Sequence, residues 1–281
     1  MITSAVSVQM VGIFDHYIGS RNGMDTVQMK RMKQIMRIRQ QLKAGEYSVG
    51  SWIQLPDTSV AEIMGHAGYD WVAVDLEHGS IGVNQLPDIF RALELGGTMP
   101  LVRLAEGTPK DCKRALDAGA AGVIIPMINS AEHLRATMAA CCWPPAGSRG
   151  VGFSRANLFG KKFDAYRAEA QKPLIVAMIE HEMAIWALDD ILDVHGLDAV
   201  FVGPYDLSAS LGITGQFENS KFQSALATIR EKAISKSVAV GMHVVSPSRE
   251  KLRACLDEGY QFVAYSIDAV MLQDAATFKS L

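Results

Sequence analysis

Three phrases in this chain share one grammar: a helix, a glycine that stops it, a short loop and a run of strand-forming residues. They are GHAGYDWVAVD around Gly68, LDAGAAGVII around Gly119 and LDEGYQFVAY around Gly259. Glycine enters the left-handed conformation that ends a helix without a Cβ penalty. A unit recurring in this form is a βα repeat, and a chain made of such units builds a parallel sheet covered by helices.

Short apolar runs fix the count of units. They fall at 51–55, 71–76, 101–104, 122–127, 174–179, 199–202, 238–244 and 262–266. Most are continuous Val, Ile, Ala and Leu rather than alternating, as parallel strands covered on both faces require. Helix signals lie between them. Asp57 or Thr58 caps one helix, Thr108-Pro109 opens another that ends at Gly119, Ser130 precedes a third, and Ser246-Pro247 opens one that ends at Gly259. The order predicts an α/β fold, a closed (β/α)8 TIM barrel with an N-terminal helical extension; a doubly wound open sheet is the alternative. Two segments follow: an arm and helix over 1–45, and the barrel over 46–281. Residues 1–26 show no steady periodicity, and Met24, Met29, Met32 and Met36 offer alternative starts. Over 26–43, Val27, Met32, Ile35, Met36, Ile38 and Leu42 form a helical stripe that Gly45 ends. The longest interruption, 143–171, carries Pro144-Pro145 and GSRGVGFSRANLFG; its length predicts a lid or a wall of the active site.

Composition narrows the partners. A formal net charge of -3 with no Lys/Arg-rich run leaves no footprint for nucleic acid. No apolar run approaches the ~20 residues of a membrane span, and the N-terminus lacks the ordered segments of a secretory signal. The four cysteines, Cys112, Cys141, Cys142 and Cys255, include no C-x-x-C pair and read as free thiols. The expectation is a soluble cytoplasmic protein of small molecules.

Barrel strands aim their C-terminal ends at the active site. Those exits hold Gln54; Asp75, Glu77 and His78; Arg103; Pro126; Glu180 and His181; Gly203 to Asp206; His243; and Ser266 and Asp268. No lysine falls inside a strand run, which argues against an imine-forming aldolase. The other electron sink is a metal. Glu180 closes LIVAMIE and Asp206 sits in VFVGPYDLS, on neighbouring strands, so both can aim into one cavity. Two carboxylates with open positions suit a hard ion, Mg²⁺ or Mn²⁺, with Co²⁺ tolerated; the competing reading makes each an acidic helix N-terminus. Arg103 can face a carboxylate or a developing enolate, or else pair with Asp75 or Glu77. His78 is a candidate base, since an imidazole ordinarily titrates near neutrality, although a histidine after a strand is more often a hydrogen-bonded loop residue. Asp75 joins His78 and Arg103 as a candidate catalytic group. Gly203, Pro204, Tyr205 and Asp206 offer helix-start amides to a substrate carboxylate. His181 begins a helix and faces away, and His243 stands alone.

GSWIQLPDTSVAEIMGHAGYDWVAVDLEHGS, PLVRL, LDAGAAGVIIPMINSAEHL, WPPAGSRGVGFSRA, IVAMIE and VFVGPYDLSASLG occur in that order. Together they resemble the HpcH/HpaI family of class II pyruvate aldolases, over roughly 38–276. The resemblance implies a lyase that forms a pyruvate enolate and reversibly cleaves a 4-hydroxy-2-oxo acid or a 2-keto-3-deoxy sugar acid into pyruvate and an aldehyde. It implies Glu180 and Asp206 as metal ligands, His78 as base, Arg103 as enolate stabiliser, and Asp117 as the acidic residue that tunes the histidine. A helix running against the strands places Asp117 at the barrel's far end, so it can serve only a neighbouring subunit's site. A homo-oligomer, a hexamer as in the family, follows. The chain departs from the family where Met178 replaces a glutamine that touches pyruvate and where Tyr265-Ser266 replaces a smaller pair. Oxaloacetate decarboxylation, citrate-lyase-like action on an acyl-CoA, and a non-catalytic small-acid binding protein are the rival readings.

Overall fold

The computed structural model describes residues 27–278, so the expected arm over 1–26 lies outside the described residues. The strands are β1 (Ser48–Ile53), β2 (Trp71–Asp75), β3 (Met99–Arg103), β4 (Gly122–Ile125), β5 (Leu174–Ile179), β6 (Ala199–Val202), β7 (Ala239–Val244) and β8 (Phe262–Ile267). They pair in sequence order, all parallel, and β8 closes on β1. The closed barrel is therefore the fold, and the open sheet is not.

The helices are α1 (Val27–Lys43), α2 (Thr58–Gly65), α3 (Leu86–Leu95), α4 (Pro109–Ala118), α5 (Ala131–Cys141) and α6 (Phe163–Ala170), followed by α7 (Glu182–Trp186), α8 (Leu188–Leu192), α9 (Pro204–Ser210), α10 (Ser220–Ser235), α11 (Arg249–Asp257) and α12 (Asp268–Ala276). The capping chemistry explains their starts. Asp57 accepts from the Ser59 and Val60 amides, Thr108 and Asp111 form a reciprocal capping box, and Ser130 accepts from the His133 amide. Gly119 takes φ 109° and ends α4. Several sequence boundaries shift: β1 begins at Ser48 rather than 51, β3 at Met99 rather than 101, and α11 is capped by Ser248 rather than Ser246.

Inside the barrel, side chains alternate in layers. Trp71 and Ala73 on β2, Met99 and Leu101 on β3, Leu174, Val176 and Met178 on β5, and Ala199 and Phe201 on β6 form one buried cluster. The intervening residues pack outward against the helices. Large residues fit because small ones face them. A Cβ on Gly50 would lie 2.1 Å from the Trp71 ring, and one on Gly241 would lie 2.6 Å from Phe201. From below, Ile35, Ile38 and Leu42 of α1 join this inner cluster, Arg31 binds Glu169 at 2.8 Å and Arg39 binds Asp198 at 2.7 Å. The N-terminal helix is thus the plug of the barrel floor.

Residues 143–171 correct an expectation. They join the end of α5 to the start of β5, and a helix-to-strand connection lies at the floor of a barrel, opposite the strand exits. The contacts agree: Arg155 donates to the Ala118 carbonyl at the end of α4, and Arg31 of the floor helix donates to the Ala156 carbonyl. This segment cannot be a lid over the site of its own subunit.

Candidate active site

The inward layers that build the core also deliver the site. On β2, Trp71 and Ala73 point inward, so Asp75 does too; on β3, Met99 and Leu101 place Arg103 inward; on β5, Val176 and Met178 place Glu180 in the next layer up. β2 and β3 pair with Asp75 opposite Arg103. Convergence of these groups is therefore a consequence of strand period and register.

Asp75 is fully buried and saturated. Its Oδ1 accepts from Arg103 Nε at 2.8 Å and from the Glu77 and His78 amides at 3.0 and 3.2 Å. Its Oδ2 accepts from Arg103 Nη2 at 2.5 Å and Gln54 Nε2 at 2.7 Å. Burial pushes this carboxyl up, but Arg103, Gln54 and the His78 amide outweigh it and hold it below the ordinary range. Asp75 holds Arg103 and the 77–78 turn in place. Arg103 lies over the Trp52 ring at 4.7 Å and keeps Nη1 3.4 Å from Glu77.

Glu180 is buried, and its Oε2 accepts from the Met127 amide at 2.8 Å. Met127 reaches it with φ 51°, a left-handed conformation that costs a side-chain-bearing residue ~1–2 kcal/mol. Burial, with the charges of Glu77 and Asp206, pushes Glu180 from 4.5 up to about 7. Glu77 is raised by burial and by Asp75 and Asp206, against the pull of Arg103 and His78. Asp206 is exposed in the first turn of α9, beside Pro204 and the exposed Tyr205. The first-turn amides have no acceptor within the helix. His78 is exposed, 3.8 Å from Glu77.

Glu77, Glu180 and Asp206 repel one another, a charge balance that a cation would relieve. Glu77 Oε2 is buried without a hydrogen-bond partner. Gly203 leaves the room: a Cβ there would lie 2.4 Å from Glu180 Oε1. Among the described residues no group of three His, Cys, Asp or Glu side chains is arranged to hold an ion. A pair such as Glu180 and Asp206 would suit only a hard ion that draws its remaining oxygen ligands from water or substrate. Gly203→Ala should displace Glu180 and weaken Mn²⁺ binding about ten- to a hundredfold, measured by calorimetric titration; unchanged affinity would show that Glu180 does not hold the ion.

Other candidates have different roles. Asp268 accepts from the Gln54, Leu55 and Ala269 amides and ties α12 to β1. His181 caps α7 through Nδ1. His243 is not alone: it packs on Trp52 and its Nε2 lies 3.3 Å from the Ser266 carbonyl, and burial, with Arg103, lowers it to about 4. Met178 is buried in the layer below Glu180. Asp117 sits at the C-terminal end of α4, which returns to the floor before β4, so it stands at the opposite end from the carboxylates. The sequence offers Glu77 at a strand exit only as a partner of Arg103, and the fold also brings it near Glu180 and Asp206. All four cysteines are free and buried. No described helix is long and apolar enough to cross a membrane.

The sequence and the fold have known relatives. A family model described as HpcH/HpaI aldolase/citrate lyase matches residues 48–275. A hydroxypyruvate/pyruvate aldolase of Roseobacter denitrificans is 36% identical over 83% of this chain and 91% of its own. A 2-keto-3-deoxy-L-rhamnonate aldolase of Escherichia coli K12 is 35% identical over 86% of this chain and 92% of its own. Among solved structures, an HpcH/HpaI aldolase/citrate lyase family protein from Burkholderia cenocepacia superposes with a TM-score of 0.80 at 31% identity, covering 85% of this chain and 95% of that one.

Proposed function

The chain belongs to the HpcH/HpaI aldolase/citrate lyase family, and on that premise we propose that Glu180, Asp206, Arg103 and His78 carry an aldol reaction at the methyl carbon of pyruvate. The protein is an enzyme, a carbon–carbon lyase of the aldolase type. The observation that carries the residue assignment is the acidic corner that buried Glu180 and half-buried Glu77 form with the exposed Asp206, with Arg103 fixed beside it.

Glu180 and Asp206 hold a divalent cation, Mg²⁺, Mn²⁺ or Co²⁺. When bound, it supplies a Lewis acid that draws electron density from a 2-oxo group. The amides of Tyr205 and Asp206 receive the substrate carboxylate, with Pro204 and Gly203 shaping the turn. Arg103, oriented by Asp75, meets negative charge as it develops on the 2-oxo oxygen. His78, exposed at the mouth, takes the methyl proton directly or through a water. The resulting enolate attacks an aldehyde; cleavage of a 4-hydroxy-2-oxo acid or a 2-keto-3-deoxy sugar acid reverses these steps. Asp117 cannot reach His78 of its own subunit, so it serves a second copy, and the active unit is an oligomer, a hexamer.

His78→Ala should slow exchange of the pyruvate methyl protons about 10²–10⁴-fold, read by deuterium incorporation. Exchange at the unaltered rate would remove His78 as the base. Exchange in the absence of CoA separates this reading from an acyl-CoA lyase.

A further inference from the structure

Arg149 is the most unusual charged residue outside the site. It lies in the floor segment after α5, and its side chain is fully buried. Only Nη2 has a hydrogen-bond acceptor, Tyr166 Oη at 3.1 Å, while Nε and Nη1 are buried without one. Buried arginines ordinarily satisfy their donors, because each one left open costs the desolvation of a charged group. The Trp143 and Tyr166 rings hold the guanidinium from the sides at 5.7 and 5.9 Å. The nearby Glu169 is engaged by Arg31 through Oε1, while its Oε2 is buried without a hydrogen-bond partner.

What the open donors face is Asp117. Its Oδ1 is also buried and without a hydrogen-bond partner, 4.0 Å from Arg149 Nη1. The side chain is nevertheless 28% exposed, so its outer edge, with Oδ2, is presented at the surface. Burial raises this carboxyl above its ordinary value, and Arg149 and then Lys113 only partly offset it. Two incompletely satisfied charges facing each other at the barrel floor make a poor stability device, yet a good means of aiming a carboxylate.

We infer that Arg149 is the positioning residue of Asp117: it draws the inner carboxylate oxygen toward the barrel and leaves the outer one facing a second copy's His78. The inference rests on the shared-site reading of Asp117. Arg149 touches neither pyruvate nor the cation, so its effect must pass through Asp117 alone.

The test is a double-mutant cycle in the assembled enzyme, with pyruvate methyl-proton exchange as readout and sedimentation velocity to follow assembly. Asp117→Asn and Arg149→Met should each lower kcat about ten- to a hundredfold, the range for groups that orient a catalytic residue, with KM for pyruvate unchanged. The double variant should be no slower than Asp117→Asn, and Arg149→Lys should recover part of the loss. Tyr166→Phe, which removes the acceptor of Nη2 without touching the charge, should show a smaller loss in kcat. Normal exchange in Asp117→Asn would remove the shared-site reading and this inference with it. A slow Asp117→Asn with a normal Arg149→Met, or fully additive losses, would overturn the inference alone. So would failed assembly of Arg149→Met beside normal exchange in Arg149→Lys and Tyr166→Phe, because Arg149 would then be a packing residue.

Discussion

Replacing Glu180 by glutamine should stabilise the metal-free protein at neutral pH while abolishing its chemistry. Glu180 is buried, and its carboxyl is raised from 4.5 to about 7. Below the lower value it is protonated in both the folded and the unfolded chain. Between the two values the folded chain binds the proton more tightly, so stability falls as pH rises through this window. The loss is about 3 kcal/mol once the group is ionised in both states. Glutamine keeps the shape, still accepts from the Met127 amide, and carries no charge to desolvate. Urea unfolding in the presence of a chelator should therefore show the variant more stable than the parent at about pH 8 and nearly equal to it at about pH 4. Addition of Mn²⁺ should stabilise the parent and leave the variant unmoved. Exchange of pyruvate protons should fall on the order of 10³-fold or more, since several kcal/mol of charge stabilisation is lost. A metal-free variant that is less stable than the parent at the higher pH would contradict this account of the corner.

Arg103→Met should damage both fold and function. Asp75 is fully buried and takes two of its hydrogen bonds from Arg103. Removing the guanidinium leaves a carboxylate with Gln54 and two backbone amides but no cation, a loss of about 3–5 kcal/mol. The 77–78 turn hangs on the same carboxylate through the Glu77 and His78 amides, so the base is loosened as well. Transition-state charge on the 2-oxo oxygen loses its donor, worth roughly 10²–10³ in rate. Asp75→Asn in the Arg103→Met background should return much of the stability and none of the rate. Chemical denaturation and proton exchange on the same samples check both halves; parallel recovery of the two would show that Arg103 acts only as a structural partner.

The strand exits were legible in the sequence because the same two-residue period that buries Trp71, Val176 and Phe201 also fixes where Asp75, Arg103 and Glu180 point. Helix starts at Asp57, Thr108 and Ser130 were legible because their side chains bond the amides they precede. Tertiary facts were not. Whether Arg103 pairs with Asp75 or with a ligand depends on the β2–β3 register, and the structure gives the pair. The Met127 amide at Glu180 requires a left-handed residue with no sequence signature. The 143–171 segment reads as a lid by length, but the side of the barrel it occupies is set by whether it follows a helix or a strand. Arg149 gave no signal, since nothing in GSRGVG says that its arginine is buried against Asp117.

The most direct measurement is deuterium exchange into the pyruvate methyl group by the metal-stripped enzyme, before and after Mn²⁺ is restored, for the parent and for Asp206→Asn. The account predicts negligible exchange without the ion, full exchange with it, and little in the variant at any concentration of metal that saturates the parent. Exchange by the stripped parent at the restored rate would contradict the role given to Glu180 and Asp206.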